Sequence, residues 1–124
     1  MDGKKILIID DDYNSSKAIK ETLEETGYVV FYACNRQEGL NNLKEVGPDL
    51  ILLDLVLPGE SGFKIAQDIK ANPDYTNIPI IAISLKKEEI DKHIAARVGI
   101  ISYIEKPIPT SQLLFCIKDI LNNK

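Results

Sequence analysis

The stretch Pro48-Asp-Leu-Ile-Leu-Leu-Asp-Leu-Val-Leu-Pro58 decides the fold: an unbroken apolar run, Leu50–Leu53, meets one carboxylate, Asp54, and is followed at once by Leu55-Val56-Leu57. A strand with one wet face alternates in polarity. This one does not, and it reads as a strand buried on both faces of a parallel sheet. A carboxylate closing such a strand is half buried.

Working outward, Ile78–Ile83 has the same nearly continuous apolar character, and shorter runs stand at Lys5–Ile9, Tyr28–Tyr32 and Ile100–Ile104. Between them the apolar period becomes helical, with Ile19 and Leu23, Leu40 and Leu43, Ala66 and Ile69, then Ile90, Ile94 and Val98. Gly27, Gly47-Pro48, Asn72-Pro73 and Gly99 supply the helix stops. A last helix after Pro109 buries Leu113, Cys116, Ile117, Ile120 and Leu121. Five strands alternating with five helices imply an α/β fold, a doubly wound five-stranded parallel sheet with right-handed crossovers. Sites in such sheets lie outside the carboxyl ends of the strands, at the topological switch point.

With 124 residues and 44% hydrophobic content, one domain over 1–124 with a single core is expected, and no stretch reads as a linker to an output domain. A net charge of −4 argues against direct nucleic-acid binding through phosphate contacts. The apolar run Ile6–Ile9 is too short for a secretory signal, and no segment approaches the roughly 20 apolar residues of a membrane span. A cytoplasmic protein without membrane insertion is the expectation. Cys34 and Cys116 fit no metal-ligand spacing and receive no function.

The polar residues at the strand ends are Asp10, Asp11 and Asp12 after the first run, Asp54 after the third, Ser84 after the fourth and Lys106 after the fifth. Singly, most have plain roles as helix caps or solvated charges. Together they fall on one rim. Gathering Asp54 with Asp10 and Asp11 sets like charges a few Å apart, with roughly 4 kcal/mol of repulsion per pair at about 4 Å and an effective dielectric near ~20. Such a cluster needs a cation, and oxygen-only donors favour a hard ion, Mg²⁺ or Mn²⁺. That geometry suits phosphoryl transfer to the Asp54 carboxylate, with the metal and Lys106 balancing charge and Ser84 within hydrogen-bonding reach of a phosphoryl oxygen.

The ordered blocks KILIIDDD, PDLILLDLVLPGESG, IPIIAIS and SYIEKPI resemble those of bacterial two-component response-regulator receiver domains, over essentially the whole chain. The resemblance implies a flavodoxin-like (βα)5 fold with strand order 2-1-3-4-5, and a signalling function rather than an enzyme. It implies that Asp54 is the phosphoacceptor, charged by a sensor histidine kinase or histidine phosphotransfer protein. Asp10 and Asp11 match the acidic metal pair, Asp12 a neighbour rather than a ligand, and Val56 the position whose backbone carbonyl ligates Mg²⁺. Ser84 matches the switch hydroxyl, Tyr103 the switch aromatic and Lys106 the phosphoryl-pairing lysine. Pro58 and Gly62 match the loop after the phosphoacceptor, and Lys106-Pro107 matches a bond that is usually cis in the family. Phosphorylation is then expected to draw Ser84 inward and turn Tyr103 after it, changing affinity for a downstream protein target at the face of the fourth helix, fifth strand and fifth helix.

Two positions depart from the pattern. Leu85 stands where the family generally has a small residue, so altered phosphorylation or hydrolysis kinetics are expected. Phe115 points away from the core stripe of the last helix, and with Ile101 it is assigned to a partner or homodimer contact. Other functions weighed are a receiver-like binding module that works without phosphorylation and a haloacid-dehalogenase-type phosphatase with Asp10 as nucleophile. Against the phosphatase, Asn14 stands where that motif has Thr, and no later Gly-Asp block appears. A flavin carrier needs a hydroxyl- and glycine-rich phosphate loop after the first strand, where this chain has Asp10, Asp11 and Asp12.

Overall fold

The computed structural model describes residues 3–57, 59–84 and 92–122, with the side chains of 92–94 excepted. Pro58, Leu85 and Ile90, and the side chain of Ile94, lie outside the described residues. Five strands, β1 (Lys5–Ile9), β2 (Val29–Ala33), β3 (Leu50–Asp54), β4 (Ile80–Ser84) and β5 (Ile100–Glu105), form one parallel sheet in the order β2-β1-β3-β4-β5. This is the expected 2-1-3-4-5 topology. Helices α1 (Tyr13–Glu25), α2 (Arg36–Val46), α3 (Gly62–Ala71), α4 (Lys92–Arg97) and α5 (Thr110–Asn122) surround it. A small antiparallel ribbon pairs Val56–Leu57 with Glu60–Ser61 just after β3.

Alternate residues of each central strand enter opposite layers, as the two-residue side-chain period requires. Ile6, Ile8, Leu50, Leu52, Ile81 and Ile83 pack with Leu23 of α1 and with Leu113, Ile117 and Leu121 of α5. Leu7, Ile9, Ile51, Leu53, Ile80 and Ala82 pack with Leu43 of α2 and with Ile65, Ala66 and Ile69 of α3. Both faces of β1, β3 and β4 are covered, which is why their sequences run apolar without alternation. Cys116 and Ile120, read as core residues of α5, are half-buried at the margin of their layer.

The helix ends follow local chemistry. Asp12 caps α1 by accepting from the Ser15 amide at 3.2 Å, and Asn35 caps α2 by accepting from the Glu38 amide at 2.9 Å. Gly47 closes α2 in the left-handed region, φ 64°, where a side chain would be strained. The sheet register pairs Ile9 with Leu53, so the residues that follow, Asp10 and Asp54, emerge side by side at the carboxyl edge. The β1–β3 neighbourhood is the switch point of the sheet, and there the two carboxylates meet.

Candidate functional site

Asp10, Asp54 and Lys106 form a buried triangle at that edge. Lys106 Nζ donates to Asp10 Oδ2 at 2.8 Å and to Asp54 Oδ2 at 3.3 Å. The remaining oxygens are held by the backbone, Asp10 Oδ1 accepting from the Asp12 amide and Asp54 Oδ1 from the Val56 amide, each at 2.9 Å. Asp10 is fully buried and Asp54 is 5% exposed, so each carboxylate has exchanged water for a small set of fixed donors.

Burial pushes the Asp54 carboxyl up to about 6, with the nearby Asp10 acting in the same direction; the Val56 amide and the Lys106 charge work against it. Burial on its own would lower Lys106, but its hydrogen bond to Asp10 and the charges of Asp10 and Asp54 outweigh that and hold the ammonium above its ordinary value. A protonatable carboxylate facing a permanently charged amine is an arrangement for managing charge.

Asp11 completes the acidic set from the exposed side. One oxygen from each of Asp10, Asp11 and Asp54 falls within a group no wider than 4.8 Å. Three carboxylate donors, two buried and one open to solvent, fit a hard divalent cation that keeps several waters. The sequence brought these residues to one rim, and the fold brings them into one site. Asp12 stands apart as the α1 cap. Val56 begins the small ribbon with its side chain exposed and its amide turned to Asp54.

Ser84 ends β4 and is buried, its carbonyl accepting from the Lys106 amide at 2.6 Å. This ties the β4 terminus to the segment that carries the lysine, and the Lys106–Pro107 bond after it is cis. Tyr103 is half-buried against the layer of α2 and α3. Burial and the Glu105 charge raise its phenol, while a hydrogen bond with the Ser84 side chain acts the other way. Ser84 and Tyr103 are therefore in contact. Beside them Tyr103, Lys106, Pro107, Pro109 and Gln112 line an open groove. Phe115 and Ile101 are 73% and 54% exposed.

Sequence reasoning missed two contributors. The Tyr32 hydroxyl donates to the Asp10 backbone carbonyl, and its ring meets Tyr13 edge-on at 5.2 Å. Burial, then Asp10, pushes the Tyr32 phenol up to about 12. Nothing in a strand-end tyrosine announces such a bond. Gly62 was read only as a loop residue, yet a Cβ there would lie 2.5 Å from the Leu55 Cα and 2.6 Å from the Asp54 carbonyl oxygen. Its amide donates to the Leu55 carbonyl at 3.0 Å, so α3 starts directly against the backbone of the acidic site.

Comparisons with known proteins agree with this fold. Residues 6–118 match the family described as the response regulator receiver domain. The phosphate regulon transcriptional regulatory protein PhoB of Pseudomonas aeruginosa is 39% identical over 121 residues, covering 98% of this chain and 53% of that protein. The chain thus spans about half the length of this curated relative. A two-component response regulator from Clostridium difficile superposes with a TM-score of 0.89 at 29% identity, covering 96% of each chain. A CheY-like receiver domain protein from Methanospirillum hungatei gives 0.89 at 28% identity, covering 98% of this chain and 95% of its own. With the family match running from the first strand into the last helix and the sheet order agreeing with it, this chain belongs to the response regulator receiver domains of two-component systems.

Proposed function

We propose that the chain is a phosphorylation switch in which Asp54 takes a phosphoryl group from a sensor histidine kinase or a histidine phosphotransfer protein and thereby changes affinity for a downstream protein target. The observation that carries this reading is the buried triangle of Asp10, Asp54 and Lys106 at the switch point of the sheet. Asp54 Oδ2 has the longer of the two lysine contacts and is the oxygen suited to attack. As it bonds to phosphorus, the phosphorus–nitrogen bond of the donor breaks and the leaving imidazole takes up a proton. Lys106 follows the charge onto the phosphoryl oxygens.

A bound Mg²⁺ or Mn²⁺ supplies charge neutralisation between the carboxylates and the incoming phosphoryl group. The carboxylates of Asp10, Asp11 and Asp54 and the Val56 carbonyl would hold it. Phosphorylation turns one negative charge into about two and adds acceptor oxygens. Ser84 then donates to the phosphoryl group, which competes with its contact to Tyr103 and links the site to β5. The result is a shift between two conformations of the face formed by α4, β5 and α5, where Phe115 and Ile101 present apolar surface to a partner or a second copy. The kinase partnership implies a cytoplasmic domain.

A phosphatase using Asp10 as nucleophile is disfavoured, because Asn14 stands where that motif has Thr and Asp10 holds the shorter of the two lysine contacts, 2.8 Å against 3.3 Å for Asp54. The test is intact mass after incubation with acetyl phosphate, with and without Mg²⁺, for wild type and Asp54→Ala. A Mg²⁺-dependent gain of one phosphoryl group, absent in the variant, is expected. No gain in wild type would leave donor access blocked at Leu85 or a binding module that works without phosphorylation, and Leu85→Ala under the same conditions separates the two.

A further inference from the structure

The acidic site has an anchor that the phosphoryl-transfer reading leaves unused. Tyr32 sits opposite Ile8 in the β1–β2 register, two residues before the acidic turn, and its ring packs partly buried against the layer of α1 and α5. From there its hydroxyl donates to the Asp10 carbonyl, while the Asp10 amide donates to the Ala33 carbonyl at 3.0 Å. Both backbone groups of Asp10 are therefore tied to β2.

The Asp10 carboxylate has its own restraints in the Asp12 amide and Lys106. What those restraints leave free is the peptide plane joining Asp10 to Asp11. Because that peptide is planar, fixing its carbonyl oxygen also fixes the Asp11 amide and the point from which the Asp11 side chain departs. Asp11 is the exposed member of the acidic set, and its position depends on its backbone. The edge-on contact of Tyr13 with Tyr32, ring centroids 5.2 Å apart at 73°, ties the same ring to the first residue of α1. The turn is thus held at both its start and its end by one aromatic pair.

We propose that Tyr32 is a positioning residue for the Asp10–Asp11 turn: by holding the Asp10 carbonyl, its hydroxyl aims Asp11 toward Asp54 and so sets the affinity of the site for a divalent cation. The inference rests on the reading of Asp10, Asp11 and Asp54 as cation ligands. Tyr32 itself is no ligand in this scheme and touches no reacting atom.

The test is a Mn²⁺ titration, followed by electron paramagnetic resonance or calorimetry, of wild type, Tyr32→Phe and Asp11→Ala, with melting temperatures recorded metal-free. Tyr32→Phe retains the ring, its packing and its contact with Tyr13, and loses only the hydroxyl. The expected result is a Kd for Mn²⁺ raised about tenfold, at the lower end of what outer-shell partners of metal ligands carry. Asp11→Ala should lose more. A Tyr32→Phe affinity within about twofold of wild type, whatever its melting temperature, would assign Tyr32 to sheet packing alone and overturn the proposal. If wild type binds no Mn²⁺, or Asp11→Ala binds it as wild type does, the cation-ligand reading itself falls and takes this inference with it.

Discussion

Lys106 donates to the Asp10 carboxylate at 2.8 Å across 96 residues of sequence, joining the end of β1 to the segment after β5. Removing one member of a buried ion pair leaves an uncompensated charge, and here it would leave two carboxylates facing each other. Lys106→Met should therefore cost about 3 kcal/mol of stability at neutral pH without metal. The loss should shrink on acidification, as Asp54 takes up a proton, and on adding Mg²⁺. Denaturant melts at several pH values check this, and a loss independent of both pH and Mg²⁺ would contradict it.

Asp54 carries the clearest pH dependence. Its carboxyl stands at about 6 in the folded chain, against an ordinary 3.8. Between those values the folded state holds a proton that the unfolded state has released, so stability from this group is complete below the lower value and lost as pH rises through the upper one. Asp54→Asn does not titrate. In the presence of a chelator its stability advantage over wild type should grow from pH 4 to pH 6 and then level off, at roughly 3 kcal/mol at most. An advantage that stays flat across this range would show that burial does not strain the carboxylate.

Gly62 leaves no room for a side chain. A Cβ would stand 2.5 Å from the Leu55 Cα and 2.6 Å from the Asp54 carbonyl oxygen, both of them backbone atoms. Gly62→Ala must push α3 away from the β3 terminus, at a cost of about 1–3 kcal/mol. Because the displaced atoms belong to Asp54 and its neighbour, phosphorylation by acetyl phosphate should slow as well. Wild-type stability together with wild-type rates would refute the packing argument.

Ser16 is 1% exposed, and its hydroxyl has no hydrogen-bond partner among the described residues. An unsatisfied buried hydroxyl is costly, and alanine is the better helix former. Ser16→Ala should raise stability by about 1–2 kcal/mol, which thermal melts will detect. A destabilised variant would mean that the hydroxyl has a partner in solution.

On α5 two neighbouring residues should respond in opposite ways. Phe115 is 73% exposed and Ile117 fully buried. Phe115→Ala should change stability by no more than about 0.5 kcal/mol, whereas Ile117→Ala should lose about 2–5 kcal/mol. With folding intact, self-association and target binding of Phe115→Ala then report on the contact role of that face. A large loss of stability in Phe115→Ala would remove it from the surface.

The sequence by itself determined the layers and the rim. Continuous apolar runs at Leu50–Leu53 and Ile78–Ile83 specify strands covered on both sides, and helical spacing of Leu113 and Ile117 specifies a face turned inward; both signals are local and periodic. It also placed Asp10, Asp11, Asp54, Ser84 and Lys106 at strand ends, because a strand end is where the apolar run stops. What the tertiary structure decided is which of these groups touch. The β1–β3 register sets Asp10 beside Asp54, and the Lys106 amine reaches both. Tyr32 reaches the Asp10 carbonyl, and Gly62 abuts the Asp54 backbone. These contacts join residues distant in the chain and depend on strand register and side-chain reach, neither of which leaves a periodic trace in the sequence.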